Sequence, residues 1–173
     1  MRSLLTVLTL SLLLTSCSHT YYVVRHAEKA VPSPGLTMST PNDPPLSAAG
    51  EQRAQALKEV LRDKKIEYIY STNTIRTRAT AEPLRSYRAL DIRTYGPLPD
   101  SAFFKDLKAI KYSTLIVGHS NTVDNIVNGL TNATTIPADL QDNEYDNLFV
   151  VTYKRFLGTK IKYKRLKYGA PSN

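Results

Sequence analysis

The chain has 173 residues, 42% of them hydrophobic and 22% charged, with 23 Lys plus Arg against 15 Asp plus Glu. That balance describes a single globular domain and excludes a disordered or collagen-like chain. Its one cysteine excludes a disulfide framework and a cysteine-rich zinc site.

Residues 1–16 read as an export signal rather than as fold. Met1-Arg2 leads into a leucine-rich run ending at Leu14, too short for a transmembrane helix, which needs about 20 apolar residues. The run closes on Leu14-Thr15-Ser16-Cys17, which resembles the lipobox of bacterial lipoproteins and implies cleavage before Cys17 and lipidation of it. A plain secretory peptide with an incidental cysteine is the alternative. Ser18 after the cysteine implies, by the enteric sorting rule, an outer membrane destination rather than an inner one. The expected organisation is a signal over 1–16, a lipidated linker over 17–20 and one domain over 21–173, lipid-anchored in a bacterial cell envelope.

Tyr21-Tyr22-Val23-Val24 is a β-branched and aromatic run, a buried strand that delivers Arg25 and His26 at its carboxyl end. A proline-rich loop extends to Pro45. Ser47 then caps a helix with Ala54, Leu57, Val60 and Leu61 at helical spacing, and residues 67–71 form a second strand. A helix follows over 76–87, with Pro83 expected to kink it. Residues 92–94 are a weak strand, and Asp100-Ser101 opens a helix carrying Phe103, Leu107 and Ile110. Thr114-Leu115-Ile116-Val117 is the clearest strand, running into Gly118-His119-Ser120 and then an apolar helical stripe of Val123, Ile126, Val127 and Leu130. Residues 148–153 and 160–168 read as an antiparallel hairpin around Leu157-Gly158-Thr159 at the sheet edge. The alternation predicts an α/β fold, a three-layer α/β/α sandwich with a mostly parallel sheet and an antiparallel C-terminal edge.

In open α/β sheets ligands bind beyond the carboxyl ends of the strands. The residues there are Arg25 and His26, the stretch from Ser71 to Arg76, and Gly118, His119 and Ser120. Two histidines and two arginines suit a phosphoryl group: Arg offers a bidentate cationic fork, and His can serve as nucleophile or donor. Gly118 permits close backbone approach, and the helix after Ser120 would turn its N-terminal amides toward an anion.

These residues resemble the histidine phosphatase superfamily, also called phosphoglycerate mutase-like. The resemblance lies in Arg25-His26-Ala27-Glu28-Lys29, with Ala for the usual Gly, in Pro45-Leu46-Ser47 with Gly50 and Gln52, in Ser71, Arg76, Thr80 and Ala81, and in Gly118-His119-Ser120-Asn121-Thr122. It spans residues 21 to about 130. In size the chain is most similar to the small SixA-like phosphatases.

The resemblance implies a phosphoglycerate mutase-like fold and a two-step transfer in which His26 becomes a phosphohistidine that water hydrolyses. Arg25, Arg76 and His119 would bind the phosphoryl oxygens and stabilise the transition state. No metal or other cofactor is expected, since two guanidiniums and an imidazole supply the neutralisation that Mg²⁺ supplies in kinases. The substrate is expected to be a phosphomonoester or phosphoramidate, on a small molecule or a phosphoprotein, with no nucleic acid partner. Specificity is expected in the loops over 29–44 and 131–145.

The general acid is the weak point. Family members usually carry a glutamate in the stretch corresponding to 91–104, which here has none. Asp100 is the first candidate, although it also suits the N-cap of the helix that follows; Asp43 and Glu28 come next. A phosphate-binding lipoprotein of the same fold without turnover is the alternative function, and an envelope lipoprotein gripping anionic polymers is a further one. Arg78, Arg85 and Arg88 read as an exposed helix face, and His19 receives no function. After Asp146 there is no acidic residue but seven basic ones, with Lys160, Lys162 and Lys164 alternating with Ile161 and Tyr163. That pattern reads as a solvated, charge-protected edge strand in preference to a lipid or nucleic acid surface.

Overall fold

The computed structural model describes residues 17–31, 42–155 and 158–172. The signal over 1–16, residues 32–41 of the first specificity loop and Leu157 of the hairpin turn lie outside the described residues.

Six strands form one sheet: β1 (Cys17–Arg25), β2 (Ile66–Thr72), β3 (Ile92–Tyr95), β4 (Ser113–Gly118), β5 (Asn147–Arg155) and β6 (Thr159–Lys167), in the spatial order β3-β2-β4-β1-β5-β6. β1, β2, β3 and β4 run parallel, while β5 and β6 are antiparallel and end the sheet. Four helices connect them: α1 (Ala48–Leu61), α2 (Ile75–Arg88), α3 (Ser101–Ala109) and α4 (Val123–Thr131).

Successive residues of a strand face opposite sides, and the core divides accordingly. Tyr21, Val23 and Ile116 pack with Leu107 of α3 and Ile126 and Leu130 of α4. Tyr22, Val24, Leu115 and Val117 pack on the other side with Leu57 and Leu61 of α1 and Leu84 of α2. Each such leucine is fully buried and contributes about 1.5–3 kcal/mol. The expected three-layer α/β/α sandwich is therefore present, antiparallel edge included.

Ser47 caps α1 by accepting from the Gly50 amide at 3.1 Å. α2 runs through Pro83 and ends in left-handed Ala89, whose amide returns to the carbonyls of Arg85 and Ser86. Gly50 is required sterically, because a Cβ there would lie 2.2 Å from the Glu28 carbonyl oxygen. The Pro45-Leu46-Ser47 block thus packs α1 against the chain just after His26, aided by a backbone bridge between Lys29 and Leu46.

Residues 17–20 correct the expected linker. They are strand, with Cys17 opposite Arg155 and Thr20 opposite Thr152. β5 is long enough to pair with them, and the Thr20 amide also donates to the Ser113 hydroxyl at 3.1 Å. His19 is consequently buried, its ring stacked on Tyr153 and edge-on to Tyr21.

Candidate active site

The carboxyl ends of β1, β2, β3 and β4 meet around a cavity of about 600 Å³. His26, Arg76 and His119 line it together with Thr72, Tyr95 and Asn121. His26 follows β1, and its amide donates to the Gly118 carbonyl at 2.8 Å, tying it to the end of β4. Thr80 of α2 accepts from the next amide, Ala27, at 2.9 Å and donates to the Arg76 carbonyl at 2.8 Å. A single threonine thereby couples the backbone beside His26 to the helix carrying Arg76.

His26 Nδ1 lies 2.7 Å from the Ala27 carbonyl oxygen, which can only accept, so Nδ1 carries the proton and Nε2 holds a lone pair. The residue is 4% exposed. Burial, reinforced by the charges of Arg25 and Arg76, pushes its pKa down to about 3, so the ring is neutral at neutral pH.

His119 sits 5.4 Å away, centroid to centroid. Arg76 Nη2 donates to its Nδ1 at 3.4 Å. A guanidinium has no lone pair to offer, so Nδ1 accepts, and Nε2 carries the proton toward the Thr72 hydroxyl at 2.8 Å. The Thr72 hydroxyl in turn donates to Thr77 at 3.1 Å, and Thr77 to the Thr72 carbonyl at 2.9 Å. This chain fixes the tautomer of His119, whose pKa burial and the two arginines push down to about 4.

Arg76 is held by Asp43 at 3.0 Å, and the other Asp43 oxygen accepts from the Ile75 amide at 2.9 Å. Arg25 departs from the expected placement. Its Nη1 donates to the carbonyls of Gln141 and Asp142 at 2.8 and 3.0 Å, its plane lies 4.2 Å over the Tyr145 ring, and it is not among the residues lining the cavity. Burial and the nearby Arg76 charge lower its pKa. The Nε atoms of both Arg25 and Arg76 are buried and have no hydrogen-bond partner among the described residues. Arg76 and two neutral histidines around one cavity make a site suited to an anion.

A sequence profile of the histidine phosphatase superfamily (branch 1) matches residues 21–103. Over residues 21–103 the chain belongs to the histidine phosphatase superfamily. Solved structures share the fold. A protein assigned as the phosphohistidine phosphatase SixA of Agrobacterium tumefaciens matches with a TM-score of 0.57 at 18% identity, covering 88% of this chain and 98% of its own. A mycobacterial glucosyl-3-phosphoglycerate phosphatase reaches 0.62 at 14% identity, with 88% and 100% coverage. A phosphoglycerate mutase from Bacillus anthracis gives 0.57 at 16%, with 80% and 89% coverage. Curated protein sequences yield no significant match.

Within this fold, the candidate acids are placed as follows. Asp100 is corrected: its carboxylate caps α3, accepting from the Phe103 amide at 2.8 Å, and it does not line the cavity. Capping the first turn of α3 holds it there. Glu28 forms a two-pronged pair with buried Arg53, whose Nη2 approaches to 2.6 Å. Arg53 also donates to the carbonyls of Tyr168 and Ala170, so this pair clamps the C-terminal segment. The amides of Thr122 and Val123 return to the His119 carbonyl rather than facing an anion, which corrects the expected role of the α4 N-terminus. Sequence reasoning assigned no role to Thr72, Tyr95 or Tyr145. Tyr95 ends β3 and was accessible to the strand-end rule, whereas Tyr145 comes from a loop with no signal of its own.

Proposed function

We propose that the protein is a metal-independent phosphatase that works through a phosphohistidine on His26. The observation that carries this reading is one cavity lined by Arg76, His119 and His26, whose Nδ1 proton is held by a backbone carbonyl. Nε2 of His26 attacks phosphorus, the bond to the leaving group breaks with its electron pair, and the phosphoryl group rests on His26. Water then attacks that phosphorus, the P–N bond breaks, and phosphate leaves with the ring neutral again. Arg76 lines the cavity and is the cation positioned to stabilise the equatorial oxygens, the dominant contribution to phosphoryl transfer.

No Asp or Glu is among the cavity's lining residues, and Asp43 is engaged by Arg76 and the Ile75 amide. Leaving groups that need no carboxylic acid, such as the imidazole of a phosphohistidine or an aryl oxide, therefore fit best. The named phosphohistidine phosphatases among the structural neighbours point the same way. Hydrolysis is favoured over mutase action, which needs a retained phosphorylated cofactor and a repositioned substrate. Cys17 is read as the lipid-bearing residue, placing the enzyme in the bacterial envelope.

The test is hydrolysis of an aryl phosphate and of phosphohistidine by the mature chain in EDTA, with rapid quenching. Turnover in EDTA with an acid-labile, alkali-stable phosphoprotein, both lost in His26→Ala, is the expected result. Phosphate binding that is equal in wild type and mutant, without turnover of either substrate, would favour the non-catalytic binding protein instead.

A further inference from the structure

We infer that the end of the sheet opposite the cavity is a docking surface for anionic lipid head groups. The chain enters the fold at that end: β1 starts at Cys17, paired with Arg155, and no linker separates the proposed lipid attachment from the strand. β1 then runs from Cys17 to Arg25, so the catalytic residues stand about 26 Å away at 3.3 Å per residue.

The same end gathers positive charge from four elements. Lys108 ends α3, Lys111 precedes β4, Lys154 and Arg155 end β5, and Lys160 begins β6. All five are exposed, and none is in an ion pair among the described residues. Lys111 and Arg155 both act on buried His19, which confirms that separate elements converge here. Residues 17–22 and 150–164 contain no acidic side chain, and exposed Asp106 in the last turn of α3 is the acid nearest Lys108 and Lys111 in sequence. Asp63, Glu67 and Asp91 reach this end only on the β2-β3 side. The opposite end, by contrast, pairs its outer cations: Arg165 with Glu144 and Lys167 with Asp146.

The sequence pattern of Lys160, Lys162 and Lys164 alone suits a solvated edge, as expected above. Lys108 and Lys111, distant in sequence, change that reading by meeting the hairpin at the end where the anchor lies. A lipid at Cys17 and a cationic face supply two weak signals that act together, as stable anchoring requires. The pocket then opens away from the bilayer.

Residues 17–173 hold the whole sheet and both cores, and this segment with Cys17→Ser tests the face without the lipid. Flotation with vesicles of phosphatidylcholine, and of phosphatidylcholine with phosphatidylglycerol, measures partitioning. Binding to the anionic vesicles alone, weakening as salt shortens the Debye length, is the expected result. Adding Lys111→Gln, Arg155→Gln and Lys160→Gln should lower the partition coefficient about 100-fold, about five-fold per charge or about 1 kcal/mol each. Thermal unfolding and aryl phosphate hydrolysis should be unchanged in that variant. Lys164→Gln with Arg78→Gln should have little effect on binding. No binding to anionic vesicles, equal binding to neutral ones, an equal loss in the control variant, or tighter capture by duplex nucleic acid than by the vesicles would each overturn the inference.

Discussion

β1 carries a histidine near each end, and both are 4% exposed. Burial, with Arg155 and Lys111 nearby, lowers the pKa of His19, and its Nε2 lies 3.2 Å from the Tyr21 hydroxyl between two tyrosine rings. Burial, with Arg25 and Arg76 nearby, lowers that of His26 too. Burial and a lowered pKa therefore do not distinguish a nucleophile from a packed ring. What differs is the surroundings: His26 borders a cavity shared with Arg76 and His119, whereas His19 is enclosed by aromatic side chains.

The sharpest test of this contrast is to truncate each ring. His26→Ala should lower kcat by roughly 10³-fold or more in a steady-state assay, since it removes the proposed nucleophile. His19→Ala should leave kcat within about two-fold and instead lower Tm, because it opens a void between Tyr21 and Tyr153. A catalytic collapse in His19→Ala would break the comparison. Arg76→Ala comes next, with about a 10²- to 10³-fold loss in kcat/KM. Arg76→Lys should recover little of it, because one ammonium cannot serve Asp43, His119 and a phosphoryl oxygen in fixed directions.

The pH dependence separates the two rings less strongly. The folded pKa values of His26, about 3, and His119, about 4, lie below the unfolded value of 6.5. Between these limits the unfolded chain binds more protons than the folded one, so stability is full above about pH 6.5 and is lost as pH falls, with the loss complete near pH 3. The same shifts keep His26 nucleophilic through mildly acidic solution. Denaturant midpoints measured from pH 7 to pH 4 should fall steeply in wild type and less steeply in His26→Asn. An equal slope in the two proteins would mean that the ring titrates normally.

Much of this was legible in the sequence, for identifiable reasons. Each strand and helix among the described residues was foreseen because apolar periodicity switches between two and 3.6, and His26, Arg76 and His119, singled out because each lies past a strand end, line one cavity. The errors share a different cause. Residues 17–20 look like a linker because their pairing depends on β5, more than 130 residues later. Asp100 is ambiguous locally, and only the three-dimensional distance from the cavity decides for its capping role. Arg25 was correctly placed beside His26, but its guanidinium direction is set by the carbonyls of Gln141 and Asp142, in a loop with no motif.

The smallest effect concerns Thr72, which sequence reasoning passed over. Arg76 can only donate to His119 Nδ1, so the ring's proton belongs on Nε2, where the Thr72 hydroxyl accepts it at 2.8 Å. Thr72→Val keeps the shape and removes that acceptor. A neutral hydrogen bond is worth about 1 kcal/mol net, so the tautomer preference should weaken by about five-fold, with kcat falling by a similar factor. A purely structural role for Thr72 would lower Tm without changing the ring. NMR of His119 nitrogens reads the tautomer directly, and Thr72→Ser should restore both the Nε2-protonated signal and the rate. If Thr72→Val leaves the tautomer intact, the Arg76 contact alone orients the ring, and the threonine chain serves only to hold β2 against α2.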